Sequence, residues 1–292
     1  MLWANESPIG VTGFPTKAGE WMNKIDKQEF RQFADYIKAN YGIRFKDEKK
    51  TLIEGRMGQV LSSLHFDSLA EYMQYVKSDP TGQAAAVMLD RITTNHTFFM
   101  REPAHFYYFK EQVLPYLVKT VKNKDLRIWS AACSSGEEPY TLAMIIDEFF
   151  GRRKAGWDTK ILATDIAPGV LDAAKAGIYT EDRMKDLPEA WRNRYFKEYD
   201  AGHYILSEKI KSEVIFGRIN LMDTVFPFQK KMHAIFCRNV MIYFDNDTKD
   251  KLAERIYEIT EPGGFLFLGH SESLNRKKTK YRYVMPAVYR KE

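Results

Sequence analysis

Cysteine is nearly missing from this 292-residue chain, which has two, Cys133 and Cys237, each inside an apolar stretch. That scarcity excludes a disulfide framework of the kind secreted domains rely on, and a reduced, cytoplasmic location is expected. The first twenty residues hold Pro8, Gly10, Gly13 and Pro15 and no apolar run behind a basic start, so no secretory leader is read there. No stretch approaches the ~20 apolar residues of a membrane span. The six histidines show neither the H-E-x-x-H pair nor cysteine-pair spacing, so no metal is expected. Glycine is also sparse where a dinucleotide would need it: Gly136 stands alone in the turn where a G-x-G-x-x-G loop needs three. This argues against NAD or FAD.

What is present is ordinary for a globular protein, with 45 % hydrophobic and 28 % charged residues. The net charge of +5, from 44 basic and 39 acidic residues, permits an acidic partner without demanding nucleic acid. Residues 1–20 read as a flexible tail, since glycine and proline alternate with polar residues and no periodicity appears. Phe30, Phe33, Ala34, Ile37 and Tyr41 then recur at three- and four-residue spacing up to Gly42. Leu52, Ile53, Met57, Val60, Leu61 and Leu64 repeat the pattern, as do Leu69, Tyr72, Met73 and Val76, and Val87, Met88 and Ile92 suggest one helix more. An all-helical domain with its linker is expected over 21–92.

From about residue 93 to 292 strand-like and helix-like segments alternate, as in a parallel sheet with crossover helices. Strands are expected at 127–131, 160–163, 234–237 and 265–269, and helices at 140–150, 168–176 and 248–259. Pro188 to Tyr199 reads as helical. Tyr204 to Ile219 mixes apolar and charged residues and reads as a small exposed sheet, inserted at about 200–218. The segments 281–284 and 287–291, flanking Pro286, suit antiparallel strands at the sheet edge.

The stretch Leu126 to Ala143 reads as strand, tight turn and helix start, where small side chains admit a ligand to the backbone. Asp165 ends the second strand, where α/β folds place a carboxylate for ribose hydroxyls; it would otherwise cap the helix near Pro168. Glu137 or Glu138 can meet a cationic amino group, or simply complement the helix dipole. A phosphate-free, cationic nucleoside such as S-adenosylmethionine fits one glycine and two glutamates. Asn95, Thr97 and Arg101 supply an amide, a hydroxyl and a fixed cation suited to a carboxylate, unless they form a plain polar linker. Tyr243, after the third strand, can face a sulfonium or belong to the core. His270 can line the site or make a structural hydrogen bond, and the basic run Arg276 to Arg282 suits a solvated loop better than nucleic acid.

Together these residues resemble the CheR family, the chemoreceptor protein-glutamate O-methyltransferases of bacterial chemotaxis. The resemblance runs from about residue 25 to the C-terminus. Its blocks are Thr-Thr-Asn-x-Thr-x-Phe-x-Arg-Glu at 93–102, Trp-Ser-Ala-Ala-Cys-Ser-Ser-Gly-Glu-Glu-Pro-Tyr at 129–140, Ala-Thr-Asp-Ile at 163–166, Asn220-Leu221, Phe-Cys-Arg-Asn-Val-Met-Ile-Tyr-Phe at 236–244 and Gly-His-Ser-Glu-Ser at 269–273. It implies an α/β, Rossmann-like methyltransferase domain with a mostly parallel seven-stranded sheet, a small inserted β-subdomain and a helical N-terminal domain. It further implies cofactor contacts from Asn95, Thr97, Arg101, Glu138, Asp165, Asn220, Leu221, Arg238 and Asn239, with Arg101 and Tyr243 shaping the catalytic centre. The implied substrate is a chemoreceptor cytoplasmic domain, methylated from S-adenosylmethionine by a monomer without metal, nucleic acid or direct membrane insertion; a regulatory protein or nucleotide-signal partner has room. In enteric members the second N-terminal helix is densely basic and contacts the receptor; here Lys49, Lys50 and Arg56 are interspersed with Glu48 and Glu54. The competing readings are a methyltransferase acting on small molecules or nucleic acid, and a non-catalytic cofactor sensor.

Overall fold

The computed structural model describes residues 25–292, so the tail expected over 1–20 lies outside the described residues. Helix α1 (Lys27–Tyr41) begins at a capping box in which Asp26 accepts from the Glu29 backbone and Glu29 answers to Asp26; it stops at Gly42, in the left-handed conformation. Helices α2 (Lys50–Leu64), α3 (Leu69–Ser78) and α4 (Gln83–Ile92) follow. Their apolar stripes, among them Phe33, Ile37, Ile53, Met57, Tyr72 and Met88, close on one another as a separate core.

Beyond it come α5 (Pro103–Tyr108) and α6 (Leu114–Thr120), joined by one π-helical turn. The main sheet is built from β1 (Ile128–Ser130), β2 (Ile161–Asp165), β6 (Val214–Arg218), β7 (Met232–Phe236) and β8 (Thr260–Phe267), all parallel, with β10 (Val288–Arg290) and β9 (Arg282–Met285) antiparallel at one edge. The order is β6-β2-β1-β7-β8-β10-β9, a seven-stranded sheet of the expected class. Side chains alternate across it: Ile128 packs with α7 (Glu137–Phe150), Trp129 with α11 (Asn246–Glu258) on the other face. Helix α8 (Pro168–Ala176) follows β2. No helix among the described residues is long and apolar enough to cross a membrane.

The inserted sheet differs from the expected span. It is antiparallel, ordered β3-β5-β4 from β3 (Ile178–Thr180), β4 (Phe196–Asp200) and β5 (His203–Leu206), and therefore begins earlier and ends before residue 214. Helix α9 (Glu189–Tyr195) stops at Tyr195, and the residues read as its continuation form β4. Val214–Arg218 instead pairs with β2 in the main sheet. As an edge strand it leaves Ile215 52 % exposed, and a short helix, α10 (Glu208–Lys211), carries charges just before it. That mixture imitates a small solvated hairpin.

Candidate functional site

Strand β1 lies between β2 and β7, so the chain leaves it where strand order reverses, at the crevice in which open α/β sheets hold ligands. The turn after it is stitched to the end of β2: the Cys133 N–H donates to the Thr164 carbonyl at 2.9 Å, and the Ser134 N–H to Asp165 at 2.8 Å. Ser134 and Gly136 both have positive φ. Gly136 serves packing rather than ligand access, because a Cβ there would sit 2.9 Å from Ala174 Cβ and 3.1 Å from the Tyr179 hydroxyl. Asp165 does not cap α8, whose N-cap is Ala167; its second oxygen accepts from the Ala167 N–H at 3.1 Å. With three backbone N–H groups, of Ser134, Ile166 and Ala167, directed at it, the carboxylate keeps one lone pair unused.

A cavity of about 200 Å³ opens at this crevice, and all ten residues expected around the cofactor line it: Asn95, Thr97, Arg101, Glu138, Asp165, Asn220, Leu221, Arg238, Asn239 and Tyr243. Ala131, Ala132, Cys133 and Ser134 form its sheet-side wall, and Tyr41, Ile43, Arg44, Phe45, Lys49 and Leu52 of the helical region form the opposite one. The two sides are joined by backbone and side-chain bonds: the Arg44 N–H donates to the Tyr243 carbonyl at 2.9 Å, Asn220 Nδ2 to the Asn40 carbonyl at 2.7 Å, and the Gly169 N–H to Asp90 at 2.9 Å.

Neighbouring positions on a helix diverge by roughly 100°, and this separates the two glutamates at the start of α7. Glu138 accepts from Ser130 Oγ at 2.7 Å and from Arg238 Nη1 at 2.7 Å, on the cavity wall. Glu137 turns inward, fully buried, and pairs with Arg183 at 2.6 Å and Ser135 Oγ at 2.8 Å. Arg238 is itself buried and divides its guanidinium between Glu138 and Glu102, the latter at 3.0 Å, over the face of Phe106. Burial pushes the Glu138 carboxyl above the usual range against the pull of Arg238, and pushes Asp165 up against its backbone hydrogen bonds. Burial also works on Glu102, but there Arg238, Asn239 and the His270 N–H prevail and hold it below the usual value.

Several assignments change. Glu102 and Glu272 organise the site, although no role of their own is read for them from the motifs. Glu102 also accepts from Asn239 Nδ2 at 3.1 Å, while Glu272 accepts from the backbone N–H groups of Asn239, Ile242 and Gly269, fixing the loop that carries Tyr243. Their membership of the blocks at 93–102 and 269–273 was the available signal. Of the cations weighed for docking on α2, Lys50 pairs with Glu54 at 3.3 Å and Arg56 donates to the carbonyls of Ile92 and Thr93. Lys278 and Arg282 of the basic run pair with Asp250 and Glu292.

Residues 28–93 match the family model of the CheR methyltransferase all-alpha domain, and residues 95–289 that of the CheR methyltransferase SAM binding domain. A chemotaxis protein methyltransferase of Borreliella burgdorferi is 39 % identical over 270 residues, covering 91 % of this chain and 95 % of that protein. Chemotaxis protein methyltransferase 1 of Pseudomonas aeruginosa is 38 % identical over 261 residues, covering 88 % and 94 %. The chemotaxis protein methyltransferase of Escherichia coli is 32 % identical over 287 residues, covering 97 % and 96 %.

Proposed function

The chain belongs to the CheR family of methyltransferases, and from that premise we propose that its acceptors are glutamate side chains on the cytoplasmic helices of a chemoreceptor. It is an S-adenosylmethionine-dependent methyltransferase of chemotaxis. The observation that carries the finer reading is one cavity gathering Asn95, Thr97, Arg101, Glu138, Asp165, Asn220, Leu221, Arg238, Asn239 and Tyr243 beneath the helical region.

The donor set suits a cationic, phosphate-free cofactor. Glu138 and Asp165 stand on the buried wall with lone pairs available, and small residues lie between them. Bound there, S-adenosylmethionine supplies a methyl group on a sulfonium, an electrophile open to displacement by a carboxylate. Asp165 would accept from ribose hydroxyls and Glu138 would face the amino group. Arg101, Asn95 and Thr97 would hold the cofactor carboxylate, and Asn220, Leu221, Arg238 and Asn239 would complete the enclosure. Tyr243 offers an aromatic face that attracts a cation.

A glutamate carboxylate, with pKa ~4.3, is already ionised near neutrality and needs no general base. The protein's part is alignment and exclusion of water, since opposite charges cancel as the ester forms. Tyr41, Ile43, Phe45 and Leu52 give the mouth an apolar rim, while Arg44 and Lys49 present positive charge to an acidic acceptor. In this division the described helices of the domain proposed over 21–92 close the mouth and 93–292 hold the cofactor, acting in the cytoplasm where receptor signalling helices lie.

Incubating the full chain with labelled S-adenosylmethionine and cognate receptor cytoplasmic fragments tests the proposal. Base-labile methyl ester on glutamate is expected. Tight cofactor binding with no transfer to any cognate receptor would replace this reading with that of a sensor.

A further inference from the structure

Behind Arg238 the fold brings together three side chains that no short motif links. Glu102 and His105 lie at the start of α5, and His270 follows β8, 168 residues from Glu102. Their nitrogen and oxygen ligand atoms all lie within 4.8 Å of one another. His105 Nδ1 is 3.5 Å from Glu102 Oε2, and the two imidazole rings cross with centroids 4.7 Å apart. His105 is wholly buried, and neither of its ring nitrogens has a hydrogen-bond partner. A buried imidazole without a hydrogen-bond partner is costly, and a cation bound between it and the carboxylate would recover that cost.

We propose that Glu102, His105 and His270 form a binding site for a divalent cation of the zinc class, with water completing the coordination. Two imidazoles and a carboxylate suit zinc, cobalt or nickel, whereas calcium and magnesium favour all-oxygen sets. Tetrahedral zinc at 2.0–2.1 Å places adjacent nitrogen and oxygen ligands roughly 3.3 Å apart, so ligand atoms gathered within 4.8 Å need only small side-chain rotations to meet it. His270 is exposed and gives an ion access from solvent. Glu102 Oε2 accepts from Arg238 and from the His270 N–H, and Oε1 accepts from Asn239 Nδ2 alone, so the carboxylate is held in place with a lone pair on Oε1 free for the ion. The expectation of no metal rested on contiguous patterns, which a set this dispersed does not display. The proposal rests on the imidazoles and is independent of the identity of the methyl acceptor.

The test uses full-length, metal-stripped protein titrated with Zn²⁺ by calorimetry and with Co²⁺ by visible absorption. One ion per chain is expected, with a tetrahedral Co²⁺ band. Exposed His270→Ala should weaken binding by at least about tenfold while leaving the circular dichroism unchanged. His105→Gln should abolish the Co²⁺ band, but its buried position makes His270→Ala the deciding variant. Absence of binding to the wild type, or equal affinity in His270→Ala, overturns the proposal.

Discussion

On the sheet side of the cavity charge is buried and paired, with Arg238 held between Glu102 and Glu138; on the helical side Arg44 and Lys49 are exposed and, among the described residues, their side chains make no ion pair or hydrogen bond. The first arrangement keeps its geometry before any ligand arrives, which suits a small cofactor whose reacting atom must be placed closely. The second adapts at little cost in energy, which suits the varied surface of a protein acceptor. The two walls therefore divide reaction from recognition.

Breaking the buried wall should have the largest consequence. Arg238→Met removes the buried cation that pairs with both Glu102 and Glu138, and a loss of about 3–5 kcal/mol is expected from urea unfolding. A loss below about 1 kcal/mol would mean that water already screens the cluster. Asp165→Ala should act next, weakening S-adenosylmethionine binding by ~1.5–3 kcal/mol through charge-assisted hydrogen bonds to the ribose. Unchanged affinity in calorimetry would remove that role from Asp165.

How far these walls could be read from sequence depended on where each residue's partner lies. Phe30, Phe33 and Ile37 announce α1 because their partners recur within one helical period, and β1, β2, β7 and β8 appear as short apolar runs buried on both faces. Val214–Arg218 was misplaced because an edge strand buries too little to look like its neighbours. The cavity residues cluster at strand ends and so fall into compact blocks. Glu102 and Glu272 sit in such blocks too, but their partners are backbone N–H groups and an arginine brought near by folding, and no local pattern names those. Arg56 shows the same limit: its charge suggested docking, yet its partners are carbonyls at the end of α4.

The joint between the two walls should respond more weakly. Asp90 on α4 accepts the Gly169 N–H at the start of α8, as a capping side chain does, and Asp90→Ala should destabilise by about 0.5–2 kcal/mol. Burial raises the Asp90 pKa, so the native state holds its proton at pH values just above 3.8 more than the unfolded chain does. Stability from this group therefore falls as pH rises through that window, and Asp90→Asn should flatten the dependence in acid unfolding curves. Smallest of all should be charge reversal at the rim. Arg44→Glu with Lys49→Glu should change folding stability by less than about 0.5 kcal/mol and leave cofactor affinity intact, because neither side chain touches the buried cluster. The same pair should raise the KM for a receptor fragment several-fold at low salt and lose that effect as salt screens the rim. A salt-independent KM, or an equal fall in kcat, would place these cations within the reacting centre and erase the division between the two walls.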